Sequence, residues 1–390
     1  MKPLFHKIRQ TIQDMDHWLL WTSVMMIIYG LLNIVTASSS EAVTSSAPLY
    51  FYFYQQSKML VVALIGSIVI LNIDTKQYPI PAVLAYFGIL GLLLYLSLYG
   101  TSHRGSINWL QIGPFTFQPS EFSKPVMIVS LAILFEKFYR KLKNKKISHI
   151  DMLGIIFIAG FVYPVIIFLQ KDLGTAMIVT AIFGVMFLTS PILAREKLVW
   201  IGRIAILGVV GCLIMLNVKG YILSPEQMDR FDFFNPCSNY EEGGYQICNG
   251  FIAINDGGLL GLGPGKSKQK YSYIPEPHTD SVFAIIVEEN GLLLSTLLFI
   301  GYYIILKRIL LLASIANTIR GRYICIGAAT YLFMHILINL GGLFGVMPLT
   351  GVPLPFLSYG GSFTISMVMM LAVVQRVHIE TKRQKMGIKQ

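Results

Sequence analysis

Ten stretches of this chain are apolar over roughly the width of a bilayer, and no other feature constrains its fold as tightly. A helix needs about 20 predominantly apolar residues to cross the hydrocarbon core. Candidates lie near 17–36, 58–73, 80–99, 123–138, 151–169, 174–190, 198–218, 280–306, 322–342 and 356–377. The run at 174–190 is short, so its helix is expected to tilt or to thin the bilayer locally. Composition agrees: 54% of the 390 residues are hydrophobic and 13% charged, against about 25% charged in a soluble chain. The expected fold class is an all-α polytopic membrane protein of about ten transmembrane helices, a single integral membrane domain over 1–390.

The formal net charge of +11 does not point to nucleic acid, because the basic residues sit in short clusters between apolar runs. Taken as a topology signal, they place both termini in the cytoplasm. The inner segments then hold Lys2, Lys7, Arg9, Lys76, the run RKLKNKK at 140–146, Arg195, Lys197, Lys307, Arg308, Arg320, Arg322 and a basic tail, 379–390. RKLKNKK also suits contact with anionic lipid. The N-terminal MKPLFHKIRQTIQDMDH is polar and basic, and the first apolar run lacks an A-x-A site, so no cleaved signal peptide is expected.

That topology turns four segments outward: 100–122, 169–174, 219–279 and 342–356. The third is a large extracellular loop between helices seven and eight, too long for a simple connector. Its apolar interruption GFIAINDGGLLGLG suggests a re-entrant or interfacial piece. It also carries Cys237 and Cys248, a possible disulfide if the loop faces an oxidising compartment. Cys212 and Cys325 lie in apolar runs and read as packing residues.

Each outward segment brings polar groups to the membrane boundary. In GPFTFQPSEFSKP, Pro119 and Ser120 start a helix, and Glu121 and Lys124 share one face of it. Either they are a dipole-favoured glutamate and a snorkelling lysine, or they belong to a site. In QKDLGTAMI, Asp172 is placed to cap the next helix, while Lys171 adds a positive charge that topology does not need. GKSKQKYSYIPEPHTD alternates Lys266, Lys268 and Lys270 with polar residues and tyrosines. That pattern suits an anionic head group or a diphosphate, or else a solvated loop. It ends on His278 and Asp280. Asp280 either caps the following helix or is a carboxylate whose pKa desolvation raises toward a useful base. His278 assists it, binds a metal or orients the loop. Glu288 and Glu289 fall inside the next apolar run, where an ionisable group is functional by default unless a lysine pairs with it. In MPLTGVPLPFLSYGGSF, prolines and glycines break the helical pattern. A bilayer tolerates that only where backbone lines a cavity, so this segment reads as architecture more than chemistry.

Taken together, QPSEFSK (118–124), QKDLGTA (170–176), GKSKQKYSYIPEPHTD (265–280) and PLTGVPLPFLSYGGS (348–362) resemble, in order, the signature blocks of the SEDS family. These are the FtsW/RodA/SpoVE glycosyltransferases of bacteria, and the resemblance covers nearly the whole chain. It implies a peptidoglycan polymerase of the bacterial cytoplasmic membrane. Such an enzyme joins lipid II units on the outer face by inverting transfer, releases undecaprenyl diphosphate, and works beside a class B penicillin-binding protein. Carried over, the family's essential loop aspartate falls on Asp280, and Glu121 and Lys124 match its PSE..K block. Lys171 and Asp172 fall in its PDLGT block, with Lys171 where proline is common. Asn108 stands where arginine is frequent, Pro264 turns GLGLG into GLGPG, and SKQK is closer to the division and sporulation branch.

On this reading Asp280 is the general base. Lys124, Lys266, Lys268 and Lys270 contact the diphosphate, Glu121 orients Lys124, and Arg104 is a further contact. Lys171, Asp172, His278 and Glu288 complete the expected substrate-binding set. No ligand cluster demands a metal, although a divalent cation, Mg or Mn, is compatible with a diphosphate. A lipid II flippase and a non-catalytic scaffold for a penicillin-binding protein are the alternatives. A flippase needs polar residues along a path through the membrane, whereas these groups cluster at one face, with Glu288 and Glu289 the main exceptions. A scaffold has no need of Asp280.

Overall fold

The computed structural model describes residues 10–39, 48–100, 107–112, 115–144, 149–190, 192–220, 236–238, 244–271 and 273–387. Among them, ten long helices fall on the ten expected ranges. These are α1 His17–Ala37, α2 Phe51–Asn72, α3 Pro79–Tyr99, α4 Pro119–Lys143, α5 His149–Leu169, α6 Leu173–Leu188 and α7 Ala194–Lys219, then α9 Val282–Ile315, α10 Ile319–Leu343 and α11 Gly361–Lys385. A shorter helix, α8 Tyr245–Gly257, lies in the large loop, on the first half of its apolar interruption. A two-stranded antiparallel hairpin, β1 Leu110–Ile112 and β2 Phe115–Phe117, leads into α4.

Eight of the described helices are long and apolar enough to cross a bilayer, which makes this a multi-pass membrane protein. α4 is excluded from that set by its charges, and α6 by having only 16 residues. Where helices end, polar residues take up orphan backbone groups. Asp16 accepts from Leu19 N–H at the start of α1, and Thr318 accepts from Gly321 N–H at the start of α10.

The helices pack around α10. It lies against α9 on one side and against α4 and α6 on the other, while α11 runs along α2 and α1 along α9. Leu131 and Phe135 of α4, Ile182 and Phe183 of α6, Ile324 and Tyr331 of α10 and Val374 of α11 are buried together. α7 touches the bundle where Trp200 stacks on Phe157 of α5, with ring centroids 4.6 Å apart. Its residues Ile206, Val209 and Leu213 are exposed, as are Ile65 of α2 and Phe87 of α3. Apolar faces of this kind are stable against lipid chains, not against water.

Two expected spans are corrected. The run 280–306 is not one uninterrupted helix, because α9 breaks at Gly291 (φ 79°, ψ 163°). That backbone is open to glycine and disfavoured for L side chains. The loop after α8 crosses the break. Leu262 N–H donates to Glu288 O and Gly263 N–H to Glu289 O, each at 2.9 Å, and Leu292 N–H donates to Gly258 O at 2.9 Å. A β-carbon on Gly291 would stand 2.4 Å from Leu259 O, so the two backbones can cross only where a side chain is missing. The expected span 356–377 begins instead at Gly361. Before it, Pro353, Pro355 and Phe356 (φ 69°) hold an irregular strand of chain. That chain passes so close to α1 that a β-carbon on Gly30 would stand 2.0 Å from Phe356 O.

Candidate active site

The turn that delivers Asp280 is held by the 348–362 segment and by α10. Tyr359 N–H donates to His278 O (2.8 Å), and Ser358 Oγ donates to Thr279 O. Asn339 Nδ2 donates to Asp280 O (2.7 Å) and to Val352 O (2.8 Å). Three consecutive carbonyls are therefore occupied, which fixes the backbone under the carboxylate. Gln246 Nε2 of α8 (3.1 Å) and Thr279 Oγ1 (3.3 Å) donate to Asp280 Oδ1. On the other side Gly351 (φ 69°) lies so close that a β-carbon there would stand 3.9 Å from Oδ2. Ser281, the N-cap of α9, makes no side-chain cap bond, and Asp280 takes its donors from outside the helix. The capping alternative therefore does not describe this aspartate.

Asp280 is partly buried. Burial pushes its pKa up to about 6, and the nearby Glu276 adds to the rise. Its own backbone N–H and the Thr279 and Gln246 hydrogen bonds restrain it. Among the described residues no lysine or arginine contributes to this balance.

Asp172 turns out differently. Its Oδ1 accepts from Thr175 N–H (3.1 Å), so it caps α6 as the simpler reading had it. Its Oδ2 accepts from Asn108 Nδ2 (2.8 Å) and Gln118 Nε2 (3.2 Å), which tie down the chain before the β1–β2 hairpin and the start of α4. Lys171 sits in a left-handed turn (φ 63°) with its N–H bonded to Phe168 O (3.0 Å).

The four candidate lysines separate into two kinds. Lys266 and Lys268 are exposed. Lys270 is buried, donating to Glu289 Oε1 (2.9 Å) and to Gly265 O (2.8 Å). Glu288 is also buried and gathers the same loop, accepting from Ser267 Oγ (2.5 Å) and from Lys268 N–H (2.7 Å). The two glutamates of the apolar run thus anchor the loop to α9 just ahead of its break.

Lys124 is buried completely. It donates to Glu121 Oε1 (2.7 Å) and to His335 Nε2 of α10 (3.0 Å), while Glu121 Oε2 has no partner among the described residues. His278 is buried with its ring against Tyr52 (4.3 Å) and Tyr359 (5.4 Å), an arrangement that orients the loop. Arg104 lies outside the described residues.

Four contributors were not singled out from the sequence: Gln246, His335, Asn339 and Ser358. His335 and Asn339 did carry a signal, since they lie four apart on one face of an apolar helix. Gln246 lies in the first turn of α8 and Ser358 in the irregular segment before α11, where nothing in the local pattern marks either as functional.

Known proteins share this architecture. The FtsW/RodA/SpoVE family model, described as a cell cycle protein, matches residues 17–383. Stage V sporulation protein E of Bacillus subtilis is 30% identical over 368 residues, covering 93% of this chain and 96% of the relative. Probable peptidoglycan glycosyltransferase FtsW of Coxiella burnetii is 30% identical over 374 residues, covering 94% and 97%. Among solved structures, a chain of a peptidoglycan synthase complex superposes with a TM-score of 0.72 at 24% identity, covering 94% of this chain and 98% of its own. RodA of Thermus thermophilus gives 0.66 at 24% identity, covering 93% and 96%. The structural likenesses speak for the fold. Matched from the start of α1 into the last turns of α11 by the family model, the chain belongs to the FtsW/RodA/SpoVE family.

Proposed function

We propose that this protein is a peptidoglycan glycosyltransferase that polymerises lipid II on the outer face of the cytoplasmic membrane. The observation that carries the reading is Asp280, a carboxylate raised to about pKa 6, held by amide and hydroxyl donors and met by no lysine or arginine among the described residues. The names of relatives such as FtsW of Coxiella burnetii support it. An acceptor sugar hydroxyl attacks the anomeric carbon of the donor, and its proton passes to Asp280. The bond from that carbon to the diphosphate oxygen breaks on the opposite side, inverting the centre. Undecaprenyl diphosphate leaves with the electron pair. At pH 7 a group with this pKa is roughly 90% ionised and more basic than an ordinary aspartate.

The exposed Lys266 and Lys268 meet the diphosphate. Lys270 and Lys124, each already paired with a glutamate, set the shape of the loop and the bundle. The isoprenoid tail lies on the outward apolar helix faces. Among the described residues no three His, Cys, Asp or Glu side chains converge on one point, so they do not fit an all-protein metal cage and no step here runs through a cation. The fold shared with a chain of a complex that coordinates polymerization and crosslinking supports a class B penicillin-binding protein as partner.

Purified protein with its transpeptidase partner and labelled lipid II should give glycan polymer, and Asp280→Asn should give none while folding normally. Equal polymer from both would remove Asp280 as the base. Lipid II crossing vesicle membranes with no polymer formed would replace the polymerase reading with a flippase.

A further inference from the structure

We propose that His335 is a positioning residue that locks the buried Lys124–Glu121 pair to the segment holding Asp280; the proposal rests on the polymerase reading above. Three elements meet at this imidazole. Lys124 Nζ of α4 lies 3.0 Å from Nε2, and Pro353 O of the irregular segment lies 3.2 Å from Nδ1. The ring stacks on Phe363 of α11 at 4.4 Å and meets the edge of Tyr331 at 5.0 Å. An ammonium donates only, so Nε2 must present its lone pair. A carbonyl accepts only, so Nδ1 must carry the proton. The contacts thus select the neutral Nδ1–H tautomer. A proton on Nε2 would point at Lys124 and break the first bond.

One turn along α10, Asn339 bonds both Val352 O and Asp280 O. His335 and Asn339 therefore read the irregular segment at 353 and at 352. Through those two carbonyls the register of Asp280 is tied to the register of Lys124, two polar groups that share no direct bond in the structure. Tyr331 adds to the same face, its hydroxyl 2.9 Å from Ser366 Oγ and its ring 5.7 Å from the lysine nitrogen. Removing the imidazole frees Lys124 on one side and the Pro353 carbonyl on the other, and the base shifts relative to the substrate. A displacement near 1 Å at a reacting centre costs about 100-fold in rate.

The test compares His335→Leu, His335→Asn and His335→Gln in the full-length protein. Gln keeps a donor and an acceptor at nearly the imidazole's reach, whereas Asn is too short to hold both partners and Leu holds neither. The expected result is a fall of roughly 10- to 100-fold in kcat for lipid II polymerisation with Leu and Asn at little-changed KM. His335→Gln should restore kcat to within about threefold of the wild type. Wild-type kcat in His335→Leu, or no recovery in His335→Gln, would overturn the proposal. A second readout does not depend on polymerisation: a thermal-unfolding double-mutant cycle between Lys124→Met and His335→Leu should be strongly non-additive. Additive shifts would sink the contact itself. A wild-type protein that makes no polymer while the cycle stays non-additive would sink the polymerase reading and the positioning role, yet leave the contact standing.

Discussion

Asp16 and Asp280 are the same residue placed just before a long helix, at opposite ends of the bundle, and the fold treats them in opposite ways. Asp16 lies beside the far end of α9. Arg308 clasps it with Nε and Nη2 (2.8 and 2.6 Å), and Leu19 N–H caps onto it. Burial works against the charge there, but the guanidinium and the backbone donor win, so the pKa lies below the ordinary value. Asp280 is desolvated without such a partner among the described residues and moves the other way. The rest of the Asp16 end is similarly matched. Asp14 meets Arg383, Glu136 meets Arg320, and Asp74 and Glu380 meet Arg376. One end of the molecule spends its carboxylates as staples between helices. The other, among the described residues, leaves Asp280 without a cationic partner, which is what the proposed base requires.

The largest expected effect separates these roles directly. Asp280→Asn should lower polymerisation by about 100- to 10,000-fold, with a melting temperature unchanged or slightly higher. Asp16→Asn should do the reverse, costing roughly 1.5–3 kcal/mol of stability, discounted for the part-exposed Arg308. Its kcat per folded molecule should match the wild type in a denaturation-corrected assay. If Asp16→Asn also abolished turnover in folded protein, the division between staple and base would fail.

The pH dependence should divide in the same way. Asp280 has a raised folded pKa, so its proton is bound, and the base lost, as pH falls through about 6. That protonation favours the folded state. Asp16 has a depressed folded pKa. Its stabilisation is present above the unfolded value and is lost only as pH falls through the lower folded one. Activity should therefore decline near pH 6 while the unfolding midpoint holds until below about pH 4, the unfolded carboxylate range. Parallel loss of both would break the comparison.

A smaller effect would sharpen it. Gln246→Lys places a cation beside Asp280 and makes it resemble Asp16. The acid limb of the rate profile should then move down by about one pH unit or more, and kcat should fall as the base weakens. Smaller still, Lys266→Ala should raise KM for lipid II by a few-fold, on the order of 1 kcal/mol for one exposed charge, with stability untouched. A change in kcat alone would place Lys266 elsewhere.

Much of the architecture was legible because hydrocarbon imposes one rule on every span, and the ten apolar runs lie on ten helices. The break at Gly291 was not legible. Glycine is common in spans, and only the crossing loop backbone shows why this one adopts φ 79°. For the candidate site, sequence located the chemistry-bearing blocks but left capping open against substrate binding for Asp172 and against catalysis for Asp280. The two aspartates sit in similar local patterns. Asp172 has Thr175 N–H within reach of its carboxylate, whereas Asp280 stands one residue before the N-cap Ser281 and takes its donors from Gln246 and Thr279.

By itself the sequence determined a multi-helix membrane protein, its basic clusters between spans and the polar groups gathered in a few segments at the span ends, because bilayer solvation acts on each residue according to its own chemistry. Tertiary structure decided which of those groups are free. It paired Lys270 with Glu289, joined Lys124 to His335, tied Asp172 to Asn108, and left Asp280 on a backbone clamped by Ser358, Tyr359 and Asn339. Pairing depends on atoms brought together from distant parts of the chain at about 3 Å, and no local pattern encodes that distance.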